Sequence, residues 1–318
     1  MFQRMAGVLA MVFIATACWA GDAEAIKHRM IVYDEGRGML HYINERDDSK
    51  DWDLQLPKAI RDFQLVGNKQ FIIAQGFGYS VYDLETRKLV EDVKPAGVGG
   101  VMSARRRADG ATILGANAKE GITIYEVDKK NALVRKMVFP ELKTLRMIRL
   151  TADGNVMIAE EGGIAEVAFD AQAPSGGKIV KRIKQPAGRN SFMALKRGDG
   201  YLDSAGFAKA LFEFDAEGKV KQEFSVKEPP AGVTFLFYAG FQVLKNGNIV
   251  VCNWTGHGPE DGAKGWQLVE FAPDDKLLWH WHDAKRASTL VNIAVLDDLD
   301  ENKYLDDSSG VLKESEVK

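Results

Sequence analysis

The feature that most constrains the fold is a short phrase that recurs six times along the chain. In each copy an apolar segment ends near an acidic residue, crosses a polar turn and continues into a second apolar segment. The copies begin at Ile31, Val81, Ile124, Val167, Leu211 and Leu268. A phrase that repeats every few tens of residues is typical of architectures in which each copy forms the same small structural unit.

A second repeated signal lies upstream of most of these phrases, and it is a Gly beside an Asp or Asn. The five copies are Gly67-Asn68, Asp109-Gly110, Asp153-Gly154, Asp199-Gly200 and Asn246-Gly247, with glycines 43 to 47 residues apart. Such dipeptides supply the positive φ angles that two-residue hairpin turns require. Each unit therefore contains four short strands, A to D, with the Gly turn between A and B and the acidic turn between C and D.

Four strands in this length of chain make one blade of a β-propeller. We therefore predict an all-β fold, a six-bladed β-propeller with four-stranded antiparallel blades. Residues 29–43 are assigned to strands C and D of the first blade, and residues 290–296 to a strand A that has no blade of its own. We expect the two ends of the chain to complete one blade together, because this closes the ring and removes exposed strand edges.

The N-terminal segment predicts export from the cell. An apolar run at residues 5–17 is as long as a signal-peptide core and too short to span a membrane. Residues 1–25 are assigned to this signal, with cleavage after Ala20 or Ala25. The alternative is a lipobox that makes Cys18 the lipidated first residue, and only then would the protein contact a membrane. We expect a periplasmic or secreted protein.

Composition excludes some classes of function and defines the rest of the chain. The net charge of −3 and the pI of about 6.0 exclude nucleic acid as a partner, because nucleic-acid binding needs a basic face. Residues 26–300 are predicted to form one propeller domain and residues 301–318 a frayed, charged tail. Cys252 is expected to be a small buried side chain outside any disulfide. We expect a monomer.

The chain resembles a broad group of exported bacterial proteins. The phrases FDAEGKV at residues 214–220 and VEFAPDDKLLW at residues 269–279 carry the resemblance. Over about residues 27–299 the chain is similar to six-bladed β-propellers of the NHL-like, PQQ-like and arylsulfotransferase-like repeat superfamily. These phrases specify a blade and not a reaction, so the resemblance implies the fold and no specific enzyme family.

In a propeller the B–C loops and the connections from strand D to the next strand A share one face, which commonly binds ligands. The longest of these loops follows Asn253 and contains two Trp and one His. The predicted ligand-binding residues on this face are Arg61, Arg146, Arg189, Asn190, Asn253, Trp254, His257 and Trp266. His28, assigned to the start of the first strand C, is expected on the same rim. The run 105–107, which is Arg-Arg-Arg, is expected to be a solvated hairpin end on the opposite face.

These residues favour a non-catalytic propeller that binds a polar small molecule or a carbohydrate, because Trp, Asn and His side chains suit such ligands. One alternative is a metal-assisted hydrolase or lactonase, or a polysaccharide lyase, with His257 and Glu160 as catalytic candidates. In that case His28 and His257 are the weak candidates for metal ligands. No cofactor is predicted, and a divalent metal stays open. A further alternative is a protein-interaction scaffold of the cell envelope.

Overall fold

The computed structural model describes residues 25–57, 61–186 and 190–317. Within these ranges the chain forms 26 strands and two short 3-10 turns, at Asp48–Lys50 and Asp261–Lys264. The strands form six antiparallel sheets arranged as the blades of a ring. The predicted six-bladed β-propeller is therefore confirmed. Cys18 and the rest of the predicted signal up to residue 24 lie outside the described residues.

The first half of the ring is built in chain order. Blade 1 contains β1 (Arg29–Asp34), β2 (Met39–Asn44) and β3 (Trp52–Gln55). Blade 2 contains β4 (Phe63–Gly67), β5 (Gln70–Gln75), β6 (Gly78–Asp83) and β7 (Leu89–Val93). Blade 3 contains β8 (Val101–Arg106), β9 (Thr112–Ala118), β10 (Gly121–Val127) and β11 (Leu133–Phe139).

The second half follows the same pattern and then returns to the start. Blade 4 contains β12 (Met147–Leu150), β13 (Val156–Glu160), β14 (Gly163–Phe169) and β15 (Gly177–Lys184). Blade 5 contains β16 (Met193–Arg197), β17 (Gly200–Ser204), β18 (Leu211–Phe214) and β19 (Val220–Phe224). Blade 6 contains β20 (Phe237–Val243), β21 (Ile249–Trp254), β22 (Leu268–Phe271) and β23 (Leu277–Trp281). The last three strands are β24 (Leu290–Val295), β25 (Tyr304–Asp306) and β26 (Lys313–Ser315).

Both ends of the described chain close blade 1, as the sequence predicts. β24 is the inner strand of this blade and pairs antiparallel with β1, so that Val32 lies opposite Ile293. The assignment of the first repeat, however, is wrong by one strand. β1 and β2 are strands B and C, and β3 is strand D, because β24 takes the inner position.

This shift changes which face of the ring carries the first hairpin turn. We call the face with the B–C turns and the D-to-A connections the upper face, and the face with the A–B and C–D turns the lower face. The turn between β1 and β2, which contains Glu35, lies on the upper face. His28, which precedes β1, lies on the lower face, so its predicted place on the upper rim is wrong.

Apolar side chains hold neighbouring blades together. Among the described residues the buried apolar side chains form four clusters. Three of them lie between blades 2 and 3, blades 3 and 4, and blades 4 and 5, and the largest joins blades 5, 6, 1 and 2. Each sheet is therefore covered on both faces, which explains continuous apolar strands such as β21. Within the described residues, no helix has the length and the apolar character that crossing a bilayer requires.

The predicted Gly turns lie between strands A and B. Gly154 has a φ of +79° in the turn between β12 and β13. In blade 5 the positive φ, +58°, falls on Gly198 and not on Gly200, because β17 already begins at Gly200. A Gly at the first central position is typical of a type II′ hairpin turn.

The C-terminal tail is packed, so the prediction that residues 301–318 are frayed is wrong for the described part. β25 pairs with the inner strand β4 of blade 2, with Tyr304 opposite Val66, and β26 pairs with β25. Tyr304 and Leu305 are buried. Farther along, Gly310 lies so close to blade 5 that a Cβ would be 2.7 Å from the carbonyl oxygen of Lys196. The tail therefore crosses the lower opening of the channel.

A buried charge cluster joins this tail to the inner strands. The Asp62 carboxylate is fully buried and accepts hydrogen bonds from Ser103 and from the Asn292 side chain. Its Oδ1 atom lies 2.8 Å from Arg105 Nη2 and 3.3 Å from Arg149 Nη1. Asp307 of the tail supplies the second carboxylate, 2.9 Å from Arg149 Nε. The cluster contains two arginines and two aspartates, so its charges balance.

Arg105 is consequently not a solvated residue. It is 5% exposed and points into the channel, whereas Arg106 and Arg107 beside it are half-buried. The expectation for the run 105–107 fails at this position because Arg105 pairs with Asp62, which is distant in sequence.

We predict that Asp307→Asn lowers the free energy of unfolding by about 3 kcal/mol, because it leaves two buried guanidinium groups, Arg105 and Arg149, with Asp62 as their shared counter-charge. Urea denaturation of the wild type and the variant measures this. Asp274→Asn, at an exposed turn of blade 6, is the matched control and should change stability by less than about 0.5 kcal/mol. Equal effects of the two substitutions would contradict the role of Asp307.

A second polar contact fastens the closed ring on its lower face. His28 is 3% exposed, and its Nε2 lies 2.9 Å from Glu270 Oε2 on β22 of blade 6. Its Nδ1 lies 2.6 Å from Asp297 Oδ2, just after β24. Burial opposes a charge on this ring, but the hydrogen bonds to Asp297 and Glu270 outweigh it and raise the pKa of His28 to about 9. The imidazolium thus bridges the last blade and the closing strand.

We predict that His28→Gln destabilises the protein most at low pH. The folded-state pKa is above the unfolded value, so the contribution of His28 is complete below pH 6.5 and is lost as the pH rises to about 9. The shift corresponds to about 3 kcal/mol. Unfolding midpoints of wild type and variant should differ strongly at pH 6 and converge near pH 9.5. His282→Gln, at an exposed histidine, is the control. If the stability difference between wild type and His28→Gln increased with pH, the role of the His28 imidazolium would be refuted.

Candidate functional site

The upper end of the channel opens into a cavity of about 100 Å³. It is lined by Glu35, Arg61, Arg146, Phe192, Phe207, Phe237, Trp254, His257 and Val291. Four of the predicted ligand-binding residues, Arg61, Arg146, Trp254 and His257, are among them. Because the tail crosses the lower opening, the cavity is reached from the upper face.

Two arginines form the polar side of the cavity. Arg61 lies in the connection from blade 1 to blade 2, directly before the buried Asp62, and its side chain is 20% exposed. Arg146 precedes β12, and its backbone N–H donates to the carbonyl oxygen of Ala159. Burial lowers the pKa of Arg146, and the nearby positive charge of Arg61 lowers it further. The two guanidinium groups are therefore close enough at the cavity wall for their positive charges to repel each other.

Glu35 is a charged residue of this cavity that the sequence analysis missed. Its Oε2 accepts a hydrogen bond of 2.6 Å from Trp254 Nε1 and lies 3.1 Å from His257 Nδ1. Its Oε1 lies 4.0 Å from Arg61 Nε, at the outer limit of an ion pair. The omission follows from the wrong strand assignment of the first repeat, which put the turn after Asp34 on the lower face. The strand at residues 52–55, which follows that hairpin, would have identified the hairpin as strands B and C, because it supplies the missing strand D.

Aromatic rings form a second wall of the cavity. The Phe237 ring is central and makes edge-to-face contacts with Phe192 at 5.6 Å, Phe207 at 4.8 Å and Trp254 at 5.7 Å between ring centroids. Phe192 and Phe237 are buried, while Phe207 is 39% exposed at the rim. The cavity thus has one cationic side and one apolar side.

His257 stands at the mouth of the cavity on the long loop of blade 6. Its side chain is 73% exposed, and its ring packs edge-on against Trp254 at 4.6 Å. The loop is fixed near it, since Gly258 N–H donates to Asp261 Oδ2 and the Ser288 hydroxyl donates to the Gly258 carbonyl. The loop is therefore a folded edge of the cavity.

Two other predicted residues of this loop face away from the cavity. The Asn253 side chain is buried and accepts from Leu236 N–H at 3.1 Å, while its amide donates to the carbonyls of Thr234 and Trp266. The Trp266 ring stacks on His280 at 3.7 Å and meets Phe235 edge-on. In this structure both residues organise the base of the loop.

Glu160 is also occupied by other contacts. It is 1% exposed, its Oε1 lies 2.6 Å from Arg182 Nη2, and its Oε2 accepts from Lys143 N–H at 2.8 Å. It is not among the residues that line the cavity with His257. Asn190 lies on the upper face beside the cavity without lining it, and Arg189 falls outside the described residues.

The structure does not bring the two candidate metal-binding histidines together. His28 is on the lower face between Glu270 and Asp297, and His257 is on the upper face beside Glu35. Across the described ranges, no group of three or more His, Cys, Asp or Glu side chains has the arrangement of a metal site. Cys252 is a free thiol that is fully buried, and burial raises its pKa.

Similar solved structures share the fold at low sequence identity. A protein of unknown function from Bacteroides caccae matches with a TM-score of 0.67 and 20% identity, over 86% of this chain and 100% of its own. The WD40 β-propeller domain of Doa1 matches with a TM-score of 0.56 and 13% identity, over 80% and 79%. A catalytically inactive virginiamycin B lyase from Staphylococcus aureus with quinupristin gives 0.56 and 11%, over 86% and 93%.

These likenesses establish a propeller and leave the activity open, because the identities are 20% or lower. No family model matches the chain. No curated protein matches it either. The function must therefore be argued from the geometry of the site.

We predict that Asn253→Ala lowers the free energy of unfolding by about 2–4 kcal/mol, because three backbone groups in partly buried hydrogen bonds lose their partner. Thermal or urea denaturation measures the change. Asn190→Ala, on the same face, is the matched control and should cost less than about 0.5 kcal/mol. A stable Asn253→Ala variant would show that the amide does not hold the base of the loop.

Proposed function

We propose that this chain is a ligand-binding β-propeller that takes a small polar molecule into the upper cavity without transforming it. The observation that carries the proposal is the cavity itself, in which side chains from blades 1, 5 and 6 and from the starts of blades 2 and 4 converge on about 100 Å³ of space. Concave sites with an apolar lining and a few polar groups are the usual form of small-molecule sites. Export, predicted from residues 1–25, is part of the same proposal.

The size and lining of the cavity favour a small ligand over a sugar chain. Sites for drug-sized ligands usually measure ~300–1,000 Å³, several times the volume here. The Trp254 indole packs against Phe237 and His257 and donates its N–H to Glu35. The indole is therefore part of the cavity wall and not a free platform for stacking a sugar ring. This favours a compact polar molecule as the ligand.

The contacts of the catalytic candidates support binding without turnover. Glu160 is committed to Arg182 and Asn253 to backbone groups, so neither is directed at a shared reaction centre with His257. One contact favours a second candidate function, acid–base catalysis. The His257 ring lies 3.1 Å from Glu35, and a carboxylate beside an imidazole is a common way to orient a general base.

We predict that a screen of small polar compounds, sugars and aldonolactones gives ligands that raise the melting temperature of the wild type. A ligand at 100 times its Kd stabilises a protein by about 2.7 kcal/mol. Phe207→Ala should weaken these ligands at least tenfold, since Phe207 forms the exposed part of the cavity wall. Trp52→Ala, beside a separate lower-face cavity, is the control.

Two outcomes would decide against the proposal. If Phe207→Ala leaves the ligand affinity unchanged and Trp52→Ala abolishes binding, the site lies on the lower face. Chromatography can detect whether a bound compound is converted to a product. Conversion that His257→Ala abolishes while binding persists would favour acid–base catalysis.

A further inference from the structure

The two arginines of the upper cavity are incompletely paired. Glu35 is the carboxylate at the cavity wall, and it already accepts from Trp254 while lying 4.0 Å from Arg61. Arg146 Nε is buried and has no hydrogen-bond partner among the described residues. A buried donor without a partner costs free energy, so the described residues leave part of the hydrogen-bonding capacity of the Arg146 guanidinium unsatisfied.

The residue next to each of these arginines in the chain is anchored to the ring. The Asn117 side chain accepts from Leu145 N–H at 2.8 Å and donates to the Leu145 carbonyl at 3.0 Å, which fixes the chain just before Arg146. Arg61 directly precedes Asp62, whose carboxylate is held in the buried channel cluster by Arg105. The backbone that carries the cationic side of the cavity is therefore fixed before any ligand arrives.

The charge of the wall selects the charge of the ligand. Among the residues that line the cavity, Arg61, Arg146 and Glu35 together carry one net positive charge when His257 is neutral. The Glu161 carboxylate, which does not line the cavity, also acts on Arg146. A single negative charge on a ligand balances this wall, and a dianion would exceed it. Among monoanions, a carboxylate matches the planar donor geometry of guanidinium groups, which bind it through parallel N–H donors.

The phenylalanine wall of the cavity indicates the chemistry of the part of the ligand that carries no charge. The rings of Phe192, Phe207 and Phe237 meet edge-to-face and present apolar surface to the same cavity as the arginines. An apolar or aromatic body against these rings also excludes water from the charge pair, and a lower local dielectric strengthens that pair.

We propose that the upper cavity binds a small organic monocarboxylate, with its carboxylate at Arg146 and Arg61 and its apolar body against the phenylalanine wall. This inference rests on the proposed binding function and names the chemical class of its ligand.

The test compares matched acids and amides, which have nearly the same shape and differ in charge. The probes are benzoate, cyclohexanecarboxylate and propionate, each beside its primary amide, and affinities are measured by isothermal titration calorimetry with the full chain. We expect the wild type to bind at least one acid tenfold or more tightly than its amide. The preference should shrink as the salt concentration rises, because the contact is ionic.

Variants locate the carboxylate. Arg146→Met keeps most of the side-chain volume and should remove the preference for the acid while the affinity for the amide stays within twofold. Arg61→Met, at a more exposed position, is the second variant and should reduce the preference as well. Arg87→Met, on the lower face, removes an equal charge and should leave all affinities unchanged. Melting curves verify that each variant is folded.

The outcomes separate the two proposals. Amides that bind as tightly as acids and depend on Phe207 would overturn the carboxylate and leave the binding function in place. Acids whose preference survives both Arg146→Met and Arg61→Met would also overturn the assignment. If neither class of probe binds, the monocarboxylate is refuted, and a screen of other polar compounds that also fails would refute the binding function.

Discussion

The rest of the structure depends on one constraint, the burial of two arginines in the channel. Arg105 and Arg149 are 5% and 2% exposed, and burying charges is costly unless each has a counter-charge. Asp62 supplies one carboxylate from the connection between blades 1 and 2, and Asp307 supplies the other from the tail. The tail must therefore fold back across the lower opening, and in doing so it converts a channel through the ring into a cavity open above.

Much of the fold was predictable because short local sequence patterns specify its hairpin turns. The Gly turns and acidic turns report tight hairpins within a few residues of themselves, so the six blades and the closure by β24 followed from counting them. The strand assignment of residues 29–43 failed because a B–C hairpin and a C–D hairpin have the same local pattern. Only the strand Trp52–Gln55 after it distinguishes them. That single shift moved His28 to the wrong face and hid Glu35.

The parts of the site that could not be predicted depend on pairings between distant residues. Arg61 and Arg146 were found because the start of an inner strand has a known place in a propeller. By contrast, nothing near Asn253 in the sequence reveals that its amide binds the backbone at Thr234 and Trp266. The tail was expected to be frayed because charged residues usually lie in water, and Asp307 departs from this rule through Arg149, a partner far away in the sequence.

The closed lower opening also has a kinetic consequence. A molecule that occupies the cavity leaves along the path by which it entered, past the rim formed by Phe207 and His257. Two molecules cannot follow one another through the ring, so exchange requires the first occupant to depart before the next arrives. The residence time is then set at this rim, which loops of blades 5 and 6 form.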